Sequence, residues 1–122
     1  MRKLLAFGLV LVSISLSSSP ADAHALLVKA NPKNSAILYK SPSNVTLTFD
    51  DDLLDLATSN VIQVFNDKNR RVDRGGTKIQ AATVSTLLNA SLPVGRYRVA
   101  YRVLSADGHP VSASYYFYLK KK

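Results

Sequence analysis

Beyond residue 24 the hydrophobic pattern repeats every second residue rather than at the helical period of about 3.6. Val45, Leu47 and Phe49 alternate with Thr46 and Thr48. Tyr97, Val99, Tyr101 and Val103 alternate with Arg96, Arg98, Ala100 and Arg102, and Ala113, Tyr115, Phe117 and Leu119 alternate with Ser112, Ser114, Tyr116 and Tyr118. Successive side chains of a strand leave on opposite faces, so each run has one apolar face that must be covered. Four further runs read as strands: Leu26 to Lys29, Ile37 to Tyr39, Val61 to Phe65 and a weaker one from Lys78 to Leu88. Turn signals such as Asn31-Pro32, Ser41-Pro42-Ser43, Gly75-Gly76 and Pro93-Val94-Gly95 separate them. About seven short strands and no long amphipathic helix predict an all-β chain folded as a β-sandwich. Leu53, Leu54 and Leu56 among aspartates are read as at most one helical turn.

The first 23 residues read differently. Arg2 and Lys3 precede an apolar stretch from Leu4 to Leu16, and Ala21-Asp22-Ala23 has the small-x-small pattern of a signal-peptidase site. The apolar run is shorter than the roughly 20 residues of a spanning helix. Residues 1–23 are therefore expected to be a cleaved signal peptide and residues 24–122 a single domain. Cutting after Ala23 leaves 99 of the 122 residues and removes Arg2, Lys3 and Asp22, which takes the formal net charge from +8 to +7. The basic residues are scattered, apart from Arg70, Arg71 and Arg74 and the Lys120 to Lys122 tail, and no nucleic-acid motif accompanies them. They are read as a solvated face, with no nucleic-acid partner.

Composition narrows the chemistry. With no cysteine, the chain has no disulfide, thiolate metal site or cysteine nucleophile. Its one methionine is Met1, so the domain offers no thioether for a soft Cu(I) site either. Any metal must take nitrogen or oxygen. The histidines number two, His24 and His109. Cleavage after Ala23 would give His24 a free α-amine beside its own imidazole, a pair that closes a chelate through the amine nitrogen and Nδ1.

His109 sits in Ser105-Ala106-Asp107-Gly108-His109-Pro110. In an extended segment Asp107 and His109 project to the same side, Gly108 permits tight curvature, and Pro110 keeps His109 out of the helical region. One carboxylate oxygen and one imidazole can then converge on one ion. The other reading is that Asp107-Gly108 is a hairpin turn and nothing more. Asp50-Asp51-Asp52 and Asp55 lack the spacing of a calcium-binding loop and are read as solvated.

Taken together, these segments resemble the CopC family of periplasmic copper-binding, copper-resistance proteins. The likeness is carried by His24-Ala25 before an apolar strand, Asn31-Pro32, Ser41-Pro42 ahead of Val45-Thr46-Leu47-Thr48-Phe49, Gly95-Arg96-Tyr97, and Ser105 to Val111 before the last strand. The resemblance implies an immunoglobulin-like β-sandwich, a periplasmic location, and Cu(II) held by His24, Asp107 and His109. It also implies a role in copper homeostasis beside a CopD-like inner-membrane copper transporter. The Cu(I) site of Met-rich members should be missing.

An amine nitrogen, two imidazole nitrogens and a carboxylate oxygen suit the tetragonal preference of Cu(II), and intrinsic affinity favours it over Zn(II). Capture rather than catalysis is expected, with no catalytic residue. Two other classes compete. A copper-dependent oxidative enzyme would share the N-terminal histidine chelate but leave its coordination plane open, where Asp107 would fill this one. A metal-free immunoglobulin-like interaction module would share the sandwich alone. With both histidines committed, no Ser-His-Asp set remains.

Overall fold

The computed structural model describes residues His24–Lys122, so the segment read as a signal peptide lies outside the described residues. Eight strands follow in order: β1 Leu27–Asn31, β2 Ile37–Leu38, β3 Asn44–Phe49, β4 Val61–Phe65, β5 Lys78–Gln80, β6 Thr83–Leu87, β7 Gly95–Leu104 and β8 Pro110–Leu119. They form two four-stranded sheets, ordered β1-β3-β6-β5 and β2-β8-β7-β4. All pairings are antiparallel except the short β2 against β8.

The sheets face each other through the residues that the period-two pattern singled out. Val45, Leu47, Phe49, Val84 and Leu88 come from the first sheet and its margin; Ile62, Val64, Val99, Val103 and Phe117 come from the second. Tyr97 stacks on Phe117 with ring centroids 5.3 Å apart, and its hydroxyl donates to the Pro93 carbonyl at 2.5 Å. That backward bond is the corner by which a tyrosine near a strand start fixes the crossover in immunoglobulin-like sandwiches.

Two expectations need correction. The weak run from Lys78 to Leu88 is a hairpin, β5 and β6 paired from Gln80↔Thr83 to Lys78↔Ser85. Its turn is Ala81-Ala82, with Ala81 at φ 56°, a left-handed conformation that a sequence reading expects of Gly, Asn or Asp. Leu53, Leu54 and Leu56 do not form a helical turn. Leu53 is buried and bridges to Ser105, and the Leu54 amide donates to the Leu104 carbonyl at 2.9 Å. These bonds stitch the segment after β3 to the end of β7, across the two sheets.

Asp73 has no exposed side-chain surface and is satisfied on every side. It accepts from the Val64 amide at 2.9 Å, from the Gly75 amide at 3.1 Å, and from the Arg71 guanidinium at 3.0 and 2.6 Å. Burial pushes its carboxyl up, but the bonds from Arg71, Val64 and Gly75 outweigh it, and the net shift is downward. A carboxyl lowered by folding adds stability above its unfolded range near pH 3.9, and that contribution fades as pH falls further into acid. Asp73→Ala should therefore lose about 2 to 3 kcal/mol at neutral pH, because it strands the buried Val64 amide and frees Arg71. In urea denaturation the gap between variant and parent should shrink as pH falls below about 4, where the unfolded-state carboxyl begins to take up its proton while the native one, held lower, is still ionised.

Candidate metal centre

Three side chains meet at one pole of the sandwich, and they come from opposite sheets. His24 precedes β1 of the first sheet, and Asp107 and His109 occupy the β7–β8 turn of the second. One donor atom from each of the three lies within 4.8 Å of the others, and among the described residues this is the one such grouping of three. His109 Nδ1 is 3.0 Å and His24 Nδ1 3.7 Å from the same oxygen, Asp107 Oδ2. Two ligands at bond lengths of about 2 Å stand about 2.8 Å apart when adjacent and about 4 Å when opposite, so both separations fall within one coordination sphere. The two imidazoles are perpendicular with centroids 5.2 Å apart, edge to face rather than stacked.

The turn is what aims the candidate ligands Asp107 and His109. The Gly108 amide donates to the Ser105 carbonyl at 2.9 Å, the Ser105 amide to the His109 carbonyl at 3.0 Å, and Leu104 pairs with Pro110 to resume the ladder. Gly108 has φ 85°, as expected for the left-handed residue that ends a three-residue hairpin loop. A Cβ there would touch nothing within 4 Å, so the demand for glycine is one of backbone conformation. The hairpin and ligand readings of Asp107-Gly108 are therefore compatible: the hairpin puts the carboxylate and the ring on one side.

Ser105 is the residue that the sequence reading passed over. It is buried, and its hydroxyl lies against Asp107 Oδ1 and 2.8 Å from the His109 carbonyl. The His109 amide also donates to Asp107 Oδ1, at 3.1 Å. One carboxylate oxygen is thus held by the turn while Oδ2 faces the two histidines. The Ser105 hydroxyl first, then the His109 ring and amide, hold the Asp107 carboxyl well below the usual carboxylate range. The available signal was a serine two residues before an aspartate at a turn, a spacing that favours local side-chain bonds.

Asp50 was read as part of a solvated loop, and it does more. Its Oδ1 accepts from the Leu26 amide at 2.8 Å, and its own amide donates to the Leu26 carbonyl at 2.9 Å. With Ala25 buried at 4% exposure, His24 is anchored from the next two residues along. Asp51 and Asp52 are exposed, and the Asp52 amide bonds to Asp51 Oδ1. All three candidate ligands remain accessible, with side-chain exposures of 48% for His24, 25% for Asp107 and 65% for His109.

The fold and site define a small two-sheet all-β domain with a nitrogen-and-oxygen donor cluster open to solvent at one end. The chain belongs to the CopC family, whose domain model matches residues 27–120. Asp107 and His109 lie inside that match, and His24 stands three residues ahead of it. Copper resistance protein C of Xanthomonas campestris is 30% identical over 124 aligned positions, covering 95% of both chains. The copper transport protein CutJ of Bacillus subtilis is 33% identical over 93 residues, which are 74% of this chain but 17% of that much longer protein. The crystal structure of CopC from Methylosinus trichosporium OB3b superimposes with a TM-score of 0.71 at 31% identity, covering 80% of this chain and 95% of that one. PcoC of Escherichia coli, titled a methionine-rich copper resistance protein, shares the fold with a TM-score of 0.63 at 23% identity, covering 80% of this chain and all of that one.

Ser105→Ala should leave the sandwich folded and free Asp107 to rotate. Its affinity for copper should fall by about tenfold or more, the usual cost of losing a group that orients a ligand, in competition titrations against a chelator of known strength.

Proposed function

We propose that this is an exported protein that captures Cu(II) in the periplasm through four donors: the α-amine and Nδ1 of His24, one oxygen of Asp107 and a ring nitrogen of His109. The observation that carries the reading is the approach of His24 Nδ1 and His109 Nδ1 to one oxygen of Asp107, from opposite sheets. Export supplies the fourth donor, since removal of residues 1–23 converts the His24 amide into an amine. The family and its copper-resistance and copper-transport relatives support copper as the ion. The donor set supports the cupric state: it is nitrogen and oxygen throughout, with no cysteine and no methionine beyond Met1.

Binding rather than catalysis fits the family. It also fits the geometry, because the Asp107 carboxylate stands between the two imidazoles where an oxygen-activating site would keep its plane open. Handover to a CopD-like copper transporter of the inner membrane completes the reading. In Bacillus subtilis the matching 93 residues are 17% of a copper transport protein, so a domain of this kind can operate as one part of a larger transport machine.

The experiment is an intact mass of the secreted protein, measured with and without one equivalent of Cu(II). A chain starting at His24 that gains a single copper supports the reading; a chain starting elsewhere, or one that gains none, contradicts it. One extra residue ahead of His24 should abolish the amine chelate, and an extended protein that kept full affinity would remove the amine from the ligand set.

Proton competition gives a further check. Asp107 is already ionised well below neutrality, so competition falls on the nitrogens. Apparent affinity should drop steeply between about pH 8 and 6, where α-amines and imidazoles take up protons. A flat profile across that range in a chelator competition would count against nitrogen ligation.

A further inference from the structure

The outer face of the second sheet is chemically unlike the rest of the molecule. On β7 the outward positions are Arg96, Arg98, Ala100 and Arg102, and their partners on β8 are Tyr118, Tyr116, Ser114 and Ser112. On β4 the outward residues are Val61, Gln63 and Phe65. No aspartate occupies any of these positions. Among the described residues, the Arg71–Asp73 contact is the one ion pair that a lysine or arginine makes, so the arginines of this face make none; Arg98 donates to Asn69 Oδ1 at 2.9 Å. They lie on rings instead: the Arg98 guanidinium is 4.4 Å from the centroid of Phe65, and that of Arg96 is 4.7 Å from Tyr116. Ile37, paired with Tyr118 at the sheet edge, is 49% exposed.

At the end of the face away from the metal pole, a shallow groove of about 410 Å3 is lined by Val94, Arg96, Tyr118, Leu119, Lys120 and Lys121. Its walls are mostly apolar and its rim carries three cations, with Val94 61% exposed. The opposite sheet has a smaller groove, about 290 Å3, beside the exposed Leu87, but Lys78 is the one cation that lines it. The outward positions of that sheet include Thr46, Thr48, Thr83 and Ser85, with Lys29 and Lys78 as the charges.

We propose that this arginine-aromatic face is a docking surface for anionic phospholipid headgroups. Guanidinium groups bond phosphate through paired N–H donors, and they keep their charge at any accessible pH. Tyrosine and phenylalanine beside them suit the boundary between headgroup and acyl chain, where one end of a side chain is wet and the other apolar. An acidic protein would satisfy the charges, but it has no use for an apolar groove rimmed by cations. An amphiphile does. β7 spans about 33 Å, so the face is long enough to lie along a bilayer. Arg102 sits two residues from Leu104, where the strand enters the Asp107–His109 turn. Docking by this face therefore leaves the metal pole at the margin of the contact, level with the membrane surface.

The test is sedimentation of residues 24–122 with vesicles of phosphatidylcholine alone and of phosphatidylcholine mixed with phosphatidylglycerol, without copper. Binding should require phosphatidylglycerol and should fade as salt is raised. The R96Q/R98Q/R102Q variant should bind about a hundredfold more weakly. The K29Q/R74Q/K78Q variant loses the same charge from the other side of the sandwich and should stay close to the parent. R96K/R98K/R102K should retain most of the binding, which separates charge at this face from any loss of folding. Equal loss in the two glutamine variants would reduce the effect to net charge and overturn the proposal. Failure of the parent to bind anionic vesicles, or capture by polyglutamate but not by vesicles, would overturn it as well.

Discussion

The short stretch from Asp50 to Leu54 governs the geometry of everything at the metal pole. It exchanges two hydrogen bonds with Leu26 through Asp50, and it pairs with Leu104 and Ser105 through Leu53 and Leu54. Asn60 reinforces the tie, with its amide donating to the Leu54 carbonyl at 2.6 Å and its carbonyl oxygen accepting from the Leu104 amide at 2.8 Å. The N-terminal residues and the β7–β8 turn belong to different sheets, and two packed sheets have no backbone ladder between them. Without this strap, the separation of His24 from Asp107 would be set by core packing alone. With it, both are referenced to one segment of chain, and the two histidines approach one carboxylate oxygen from fixed directions.

Most of the architecture was legible because a two-residue period is a strong signal and a buried face has no alternative to being covered. Val45, Leu47 and Phe49, and likewise Tyr97, Val99 and Val103, are buried as their alternation required. The β5–β6 hairpin was missed because Ala81 adopts a turn conformation that its type does not advertise. His24, Asp107 and His109, which the structure brings together, were legible as candidate donors because a histidine behind a cleavage motif and a one-residue spacing each carry local meaning. Ser105 was overlooked although its site partners, Asp107 and His109, are local, and Asp50 was illegible because its partner is distant in sequence. Ser105 bridges to Leu53, and Asp50 bonds to Leu26, 24 residues away. A run of aspartates looks the same whether one of them pins a strand or all of them face water.

Charge is distributed with the same economy. Of the seven aspartates among residues 24–122, Asp50, Asp51, Asp52, Asp55 and Asp107 fall in the two segments that build the metal pole, within a domain whose formal charge is +7. The polarity is therefore opposed to the net charge. A divalent cation approaching the molecule meets general repulsion except near this end, where the local field draws it in. An anionic surface meets the reverse: it is attracted by the arginine face and repelled by the pole. One charge pattern thus favours an orientation in which the arginine face is spent on a surface and the aspartates stay free for the ion.

Openness of the cluster decides what kind of binding it can offer. A buried site would gain strength from a low dielectric and would release its ion only through local unfolding. Here both imidazole rings are about half exposed or more, so Coulombic attraction is weakened by water and strength has to come from chelation and from ligands already in place. Such a site fills and empties without moving the sandwich. In the proposed site a competing ligand would approach His109, the most exposed of the three, while His24 and its amine would still hold the ion at the other end. Stepwise exchange of that kind lets affinity be high and residence short. Under the proposed reading, exchange of that kind suits handover of copper better than storage.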